Sequence, residues 1–471
     1  MPNWPIRRTL AALLFAVAAP LAAQGEGPIE LAALEPGKVH PRIVTRADPE
    51  TSYALYLPTA FDSGRPWPLL LVFDPRSRGA FAAELFAPAA ERHGWIVASS
   101  NDTRSDTPNW QGNVRALQRL LPDVEARLPI EGDRLYAAGM SGGAQLAWIL
   151  GQHTGELAGV ISVGGQLPPT YEGGPPKFAL FTAAGKHDFN YEPSFDIDRL
   201  AAEGTRPHRF ESFAGRHGWF TAEDATVALD WLEIVAMLEN RREPDRSLAA
   251  EILAAEVAGA ERLVSAGDPI AGHLRLEAAA DALRSLADVA AVERRMAELE
   301  RSDELRAAQK EAKRGLQYEE NIRRRTAEVE QRLRVSELPA LGELRRTLTV
   351  PDLIEQASRD GLRGDAARRA LALAHVRLAF YTANAYLQAG EYVKADVALT
   401  LGVELRPEDA TAWYNLACAR ARLGRADDAL AALERSLDLG VPLGQPIGED
   451  PDLASLHGRP EFAALAARSA P

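Results

Sequence analysis

Cysteine is nearly missing from this chain: Cys418 is the one thiol in 471 residues. That excludes an internal disulfide framework and any metal site built from paired cysteines. Excess positive charge is missing too. The 53 Lys and Arg residues face 66 Asp and Glu, a formal net charge of −13, so the basic footprint of a nucleic-acid-binding protein is excluded. The HExxH, EF-hand and phosphate-loop patterns do not occur, and no metal or cofactor is expected. Long apolar runs are confined to the N-terminus, so no membrane span is expected in the mature chain.

What is present begins with that N-terminal run. The stretch MPNWPIRRTLAALLFAVAAPLAAQGEG carries Arg7 and Arg8, an apolar segment from Leu10, and small residues at Ala22 and Ala23. This is the pattern of a secretory signal peptide over residues 1–25, too short and too rich in alanine for a transmembrane helix. The arginine pair leaves both general and twin-arginine export open. No cysteine follows the cleavage region, which excludes a lipoprotein anchor. A bacterial periplasmic or secreted location is expected.

The remainder divides by pattern. From about residue 40 to 240, apolar runs alternate with helical ones. SYALYLP (52–58), PLLLVFD (68–74), WIVASS (95–100), RLYAAG (134–139), LAGVISVGG (157–165), KFALFTAAG (177–185) and RFESFAG (209–215) read as strands. Segments such as 79–92 and 114–127 read as helices. Strand alternating with helix predicts an α/β domain with a doubly wound, mostly parallel sheet. ENRREPDR (239–246) is a charged, proline-containing break and is expected to be a linker. After it, no strand signal remains. A helical region is expected over 247–375 and a repeat domain over 376–471. YLQAGEYVKADVALTLGVELRP (386–407) matches RARLGRADDALAALERSLDLGVP (420–442), with Gly390 against Gly424, Ala395 against Ala429 and Leu399 against Leu433. AWYNLACARARLGRADDALAALERSL resembles a tetratricopeptide repeat, with Trp413, Leu416, Ala417, Gly424, Ala429 and Leu433 at that family's packing positions. Such helix pairs bury their apolar faces by stacking, and the resemblance implies docking of a protein or peptide partner or of a larger substrate.

The chemistry centres on YAAGMSGGAQLAW (136–148). Ser141 stands between Gly139 and Gly143, after a strand and before a helix, which is the sequence of a nucleophile elbow. A serine nucleophile needs a base to take its proton and an acid to orient that base. In a parallel sheet those groups lie beyond the carboxyl ends of strands. Asp188 follows the 177–185 strand in GKHDFNY, and His217 follows the 209–215 strand in AGRHGWF. His208 precedes its strand and lies at the wrong end; His187 adjoins the acid. Glu192, Asp196 and Asp198 remain alternative acids.

Taken together, these segments resemble the serine α/β-hydrolases, and more narrowly the poly(3-hydroxybutyrate) depolymerase and feruloyl esterase-like secreted esterases. The resemblance spans about residues 50–235 and implies Ser141 as nucleophile, Asp188 as acid and His217 as base. The oxyanion hole would take the Gly142 N–H, from the residue after the nucleophile. That family usually places His-Gly after the strand that precedes the first long helix. Here the sequence is FDPRSRG (73–79). Pro75 has no N–H, so Arg76 would supply the second donor if the loop keeps its path; otherwise the segment is only a turn. About a dozen residues (165–177) occupy the position of a lipase lid, which implies an open site for small or oligomeric esters. Trp110 is a candidate pocket wall or a cover for the core. A serine peptidase or polyester depolymerase on the same fold, and an interaction scaffold with a weakly active hydrolase domain, are the alternative readings.

Overall fold

The computed structural model describes residues 34–105, 110–168, 171, 173–335 and 338–469. The expected export segment lies outside them. The described residues form two compact units, divided between Arg306 and Ala307.

The first unit is built on one eight-stranded sheet in the order β1-β2-β4-β3-β5-β6-β7-β8. The strands are β1 Val39–Thr45, β2 Asp48–Tyr56, β3 Trp67–Phe73, β4 Ile96–Ser100, β5 Ile130–Met140, β6 Gly159–Val163, β7 Ala179–Gly185 and β8 His208–Phe213. Strands β4 to β8 with β3 are parallel, while β1 and β2 run antiparallel at one edge. The central strands are apolar without interruption because both faces are covered. In β3, Leu70 and Val72 face one core, shared with α1 (Gly79–His93) and α5 (Ala222–Leu238). Leu69, Leu71 and Phe73 face the other, shared with α2 (Gln111–Arg127), α3 (Gly142–Thr154) and α4 (Tyr191–Ala202). This is the doubly wound sheet read from the alternating pattern. The edge strand β1 was not expected. Its sequence VHPRIVT is only partly buried, and a strand with one neighbour needs no continuous apolar run.

Strands β3 and β5 are adjacent, with Phe73 paired to Gly139, yet their following helices α1 and α3 lie on opposite faces. A crevice must therefore open beyond their carboxyl ends, the usual place for a ligand in such sheets.

Three further helices complete the first unit: α6 Arg246–Ser265, α7 Pro269–Leu283 and α8 Ala290–Glu300. The stretch 239–246, expected as a linker, thus falls inside this unit. Its charges are used structurally. Arg241 donates to the Asp133 carbonyl, Arg242 pairs with buried Glu233, and Asp245 caps α6 by accepting from the Ser247 and Leu248 amides. Arg209 in β8 is buried between Glu211 (2.8 Å) and Glu256 of α6 (2.7 Å), and Arg275 of α7 also donates to Glu256 (2.7 Å). These charges tie the helices to the sheet edge.

Among its described residues the second unit is helical throughout. It contains most of α9 (Asp303–Leu333), then α10 Leu341–Leu348, α11 Val350–Ala357 and α12 Gly361–His375. A π-helical turn, Val376–Thr382, runs into α13 Ala383–Gln388, and α14 Tyr392–Leu405, α15 Ala410–Arg422, α16 Ala426–Asp438 and α17 Pro460–Arg468 follow. The segment 376–388 with α14 and the pair α15–α16 are offset by 34 residues. Gly390 and Gly424 hold the matching turns at φ of 71° and 74°, where glycine alone avoids a steric penalty. Leu399, Leu416, Ala417 and Leu433 are buried in one core. No helix among the described residues is long and apolar enough to cross a membrane.

Candidate active site

Ser141 sits between β5 and α3 with φ 53° and ψ −117°. A side-chain-bearing residue at positive φ is strained, and the strain persists only where its surroundings impose it. The surroundings here are glycines. A Cβ on Gly139 would lie 2.1 Å from the Gly143 carbonyl, and a Cβ on Gly143 would lie 1.9 Å from the Phe73 carbonyl. The strand-to-helix turn can close this tightly because neither position carries a side chain. It lifts the Ser141 hydroxyl above the carboxyl end of the sheet.

His217 meets that hydroxyl. Its Nε2 is 2.9 Å from Ser141 Oγ, and its Nδ1 is 2.8 Å from Asp188 Oδ1. The carboxylate can only accept, so the ring proton belongs on Nδ1 and the Nε2 lone pair faces the serine O–H. Asp188 is fully buried, and its Oδ1 also accepts the Asn190 N–H at 2.7 Å. Asn190 in turn donates its side-chain amide to the Gly164 carbonyl at 2.8 Å. Gly164, after β6, makes the room: at φ 54°, a Cβ there would come within 2.7 Å of Asp188 Oδ2 and 3.3 Å of His217 Nδ1. Phe189 packs its ring 4.2 Å from that of His217.

The structure therefore brings Ser141, His217 and Asp188 together from three separate strand ends. It leaves the alternatives elsewhere. His208 bonds Asp198 at 2.9 Å, and Asp196 pairs with Arg199 on α4. Glu192 lies in the first turn of α4. Trp110, at the start of α2, packs against the core on that face of the sheet, which gives it the core-covering role.

The oxyanion expectation divides. Gly142 opens α3, so its N–H is a first-turn donor with no acceptor inside the helix, aimed out of the helix N-terminus. Arg76 does not supply a second N–H. Its amide donates to Asp74 Oδ1 at 2.8 Å, because an aspartate two residues earlier folds its own side chain back onto the loop. The Arg78 amide joins at 3.2 Å and the Arg78 guanidinium at 2.8 Å, while Trp219 Nε1 donates to Asp74 Oδ2 at 2.9 Å. Burial alone would raise the Asp74 carboxyl; the bonds from Arg78, Trp219 and the two amides overcome it and hold the group below the usual carboxylate range. Asp74 thus links the loop after β3 to the loop that carries His217. Asp74, Trp219, Gly164 and Asn190 escaped the sequence reading. The Asp-Pro pair after an apolar strand was the one visible signal among them.

No family model matches the chain, and no curated protein matches it. Solved structures resemble part of it. A ferulic acid esterase is 17% identical over 42% of this chain and 98% of its own, with a TM-score of 0.36. The fluorophosphonate-binding serine hydrolase F of Staphylococcus aureus is 14% identical, over 41% and 99%, at 0.34. An esterase from the archaeon Pyrobaculum calidifontis is 12% identical, over 45% and 89%, at 0.35. At such TM-scores the chemistry of the site must be read from its own residues.

Proposed function

We propose that this protein is an exported serine hydrolase of the α/β-hydrolase type that cleaves carboxylic esters through an acyl-enzyme. The observation that carries this reading is the unbroken relay from Ser141 Oγ through His217 to buried Asp188, at 2.9 and 2.8 Å.

In the reaction, Ser141 Oγ attacks the ester carbonyl while His217 Nε2 takes its proton. Asp188 holds the ring and stabilises the imidazolium that forms. The carbonyl oxygen becomes an oxyanion facing the Gly142 N–H and the positive end of α3. Collapse expels the alcohol, which takes the proton from His217 and leaves an acyl group on Ser141. Water, deprotonated by the same His217, then attacks the acyl carbon and releases the acid and the free serine.

Export is supported by the N-terminal sequence pattern alone. The second unit is read as a tetratricopeptide-like module that docks a protein or peptide partner or a larger substrate. Its support is the 34-residue offset between helix pairs with matching glycine turns.

The test is kinetic. Ser141→Ala and His217→Ala should each lower turnover of a p-nitrophenyl ester by about 10⁴-fold or more, and the double variant should be little worse, since members of one proton-transfer unit are not additive. Losses that multiply would mean that the two residues do not act together.

A further inference from the structure

The proposed oxyanion site has one donor, the Gly142 N–H, and the loop after β3 offers no second amide at Arg76. Another hydrogen-bonding group lies against Gly142. A methyl group built on Gly142 would stand 2.1 Å from Ser105 Oγ, 3.0 Å from Ser105 Cβ and 3.7 Å from Ser105 Cα. In an α-helix the Cα–Cβ direction and the N–H bonds both tilt toward the N-terminus. The Ser105 hydroxyl therefore sits at the same end of α3 as the Gly142 N–H, against the residue that follows the nucleophile in sequence.

The backbone holds it there. The Ser105 amide donates to the Pro75 carbonyl at 2.9 Å, and the Ser77 amide donates to the Thr103 carbonyl at 3.0 Å. These bonds close an antiparallel bridge between Arg76 and Arg104, so the loops after β3 and β4 support each other at the crevice. Asn113 of α2 clamps the far side, accepting the Arg104 N–H at 2.8 Å and donating to the Arg104 carbonyl at 2.7 Å. Ser105 itself is exposed, and its hydroxyl has no hydrogen-bond partner among the described residues. The result is a free O–H on a braced loop, next to the first oxyanion donor.

Resting on the serine-hydrolase reading, we propose that Ser105 is a catalytic residue whose Oγ–H is the second donor to the oxyanion formed when Ser141 attacks the carbonyl. It breaks no bond and transfers no proton. It shortens its hydrogen bond as charge develops on the carbonyl oxygen, the role the sequence had offered to the Arg76 amide. The same contact gives the glycine at position 142 a use: a Cβ there would have to displace the Ser105 hydroxyl.

The test compares steady-state kinetics of the full chain on a p-nitrophenyl ester. Ser105→Ala should lower kcat by about 10²-fold, the usual effect of losing one oxyanion donor, with KM changed little. Ser105→Thr, which keeps the hydroxyl, should retain most of kcat. Gly142→Ala keeps its own N–H but pushes Ser105 aside, so it should lose about as much as Ser105→Ala, and the double variant should lose no more. Inhibition by a phenylboronic acid, which forms the tetrahedral adduct on Ser141, should weaken in Ser105→Ala in parallel with kcat; a purely structural role would not give that parallel. A Ser105→Ala variant with kcat within threefold of the wild type overturns the assignment, provided Ser141→Ala is inactive. An active Ser141→Ala overturns instead the hydrolase reading on which it rests.

Discussion

Asp74→Asn probes the joint between the two loops that frame the serine. Asp74 is fully buried and accepts from the Arg76 amide (2.8 Å), the Arg78 amide (3.2 Å), Arg78 Nε (3.2 Å), Arg78 Nη2 (2.8 Å) and Trp219 Nε1 (2.9 Å). An asparagine that keeps its oxygen at Oδ1 preserves the contacts to the two amides. It then turns an NH₂ group toward the indole N–H and toward Arg78 Nη2, donor against donor. Flipping the amide only moves the conflict to Arg76 and Arg78. The Arg78 side chain is 43% exposed and can rehydrate, so its loss is small. The Trp219 N–H loses its acceptor, at about 1–3 kcal/mol for an unsatisfied polar group. The total destabilisation of the first unit should be about 2–4 kcal/mol at neutral pH. The sign with pH follows from the lowered carboxyl. The contribution is fully present above the unfolded value of about 3.9 and is lost as pH falls through the lower folded value. The gap between wild type and variant should therefore be full at neutral pH and shrink below about pH 4. Urea unfolding at several pH values reads this directly. Trp219→Phe, which removes the conflicting N–H, should cost less in the Asp74→Asn background than alone. A variant within about 0.5 kcal/mol of wild type at neutral pH, or a gap that does not narrow in acid, would refute this reasoning.

Further outcomes follow from other buried charges. Glu256→Gln leaves Arg209 and Arg275 short of their shared carboxylate and should destabilise the first unit by about 3–5 kcal/mol in denaturant melts. For the same reason a fragment ending at Arg306 should be soluble and cleave a small ester, whereas one ending at Asn240 should aggregate. A soluble, active fragment ending at Asn240 would instead place the working boundary at 239–246. In the second unit, Asp409 caps α15 and bonds His375 Nε2 at 2.8 Å. Burial would raise its carboxyl, but the bonds from His375 and the Ala412 amide bring it to about 2. Because the folded value is depressed, the contribution exists above about pH 3.9 and disappears as pH falls through about 2. Asp409→Asn should cost about 1–2 kcal/mol at neutral pH after screening is allowed for, and progressively less as pH falls through about 2, the difference closing only below that value, as checked by helical circular dichroism on urea titration.

The sequence disclosed most of what continuous apolar runs can disclose. Each of the seven runs read as strands corresponds to one of β2 to β8; the inner strands show because burial on both faces makes them apolar, whereas the edge strand β8 shows only through Phe210 and Phe213. The edge strand β1 was hidden because a polar, proline-containing segment with one pairing partner leaves no such trace. Ser141, Asp188 and His217 were legible from chain order and from their positions at strand ends. The Arg76 amide, read from the sequence as a second oxyanion donor, is taken for a local reason: the Asp74 side chain accepts it at 2.8 Å, a turn preference that competes with any ligand for the same N–H. Ser105 and Gly164 could not be read at all, because each meets a neighbour distant in sequence, Gly142 for the one and Asp188 for the other. The stretch 239–246 looked like a linker because it is charged, but its charges have partners in the first unit.

The central claim is that His217 activates Ser141 as a nucleophile. A fluorophosphonate probe reports this most directly, because it bonds covalently only to a serine whose proton is taken by a positioned base. Applied to the full chain at neutral pH, it should label the wild type at one site that maps to Ser141. Labelling should vanish in Ser141→Ala and be strongly slowed in His217→Ala. Absence of labelling in the wild type, or undiminished labelling in Ser141→Ala, would contradict the account.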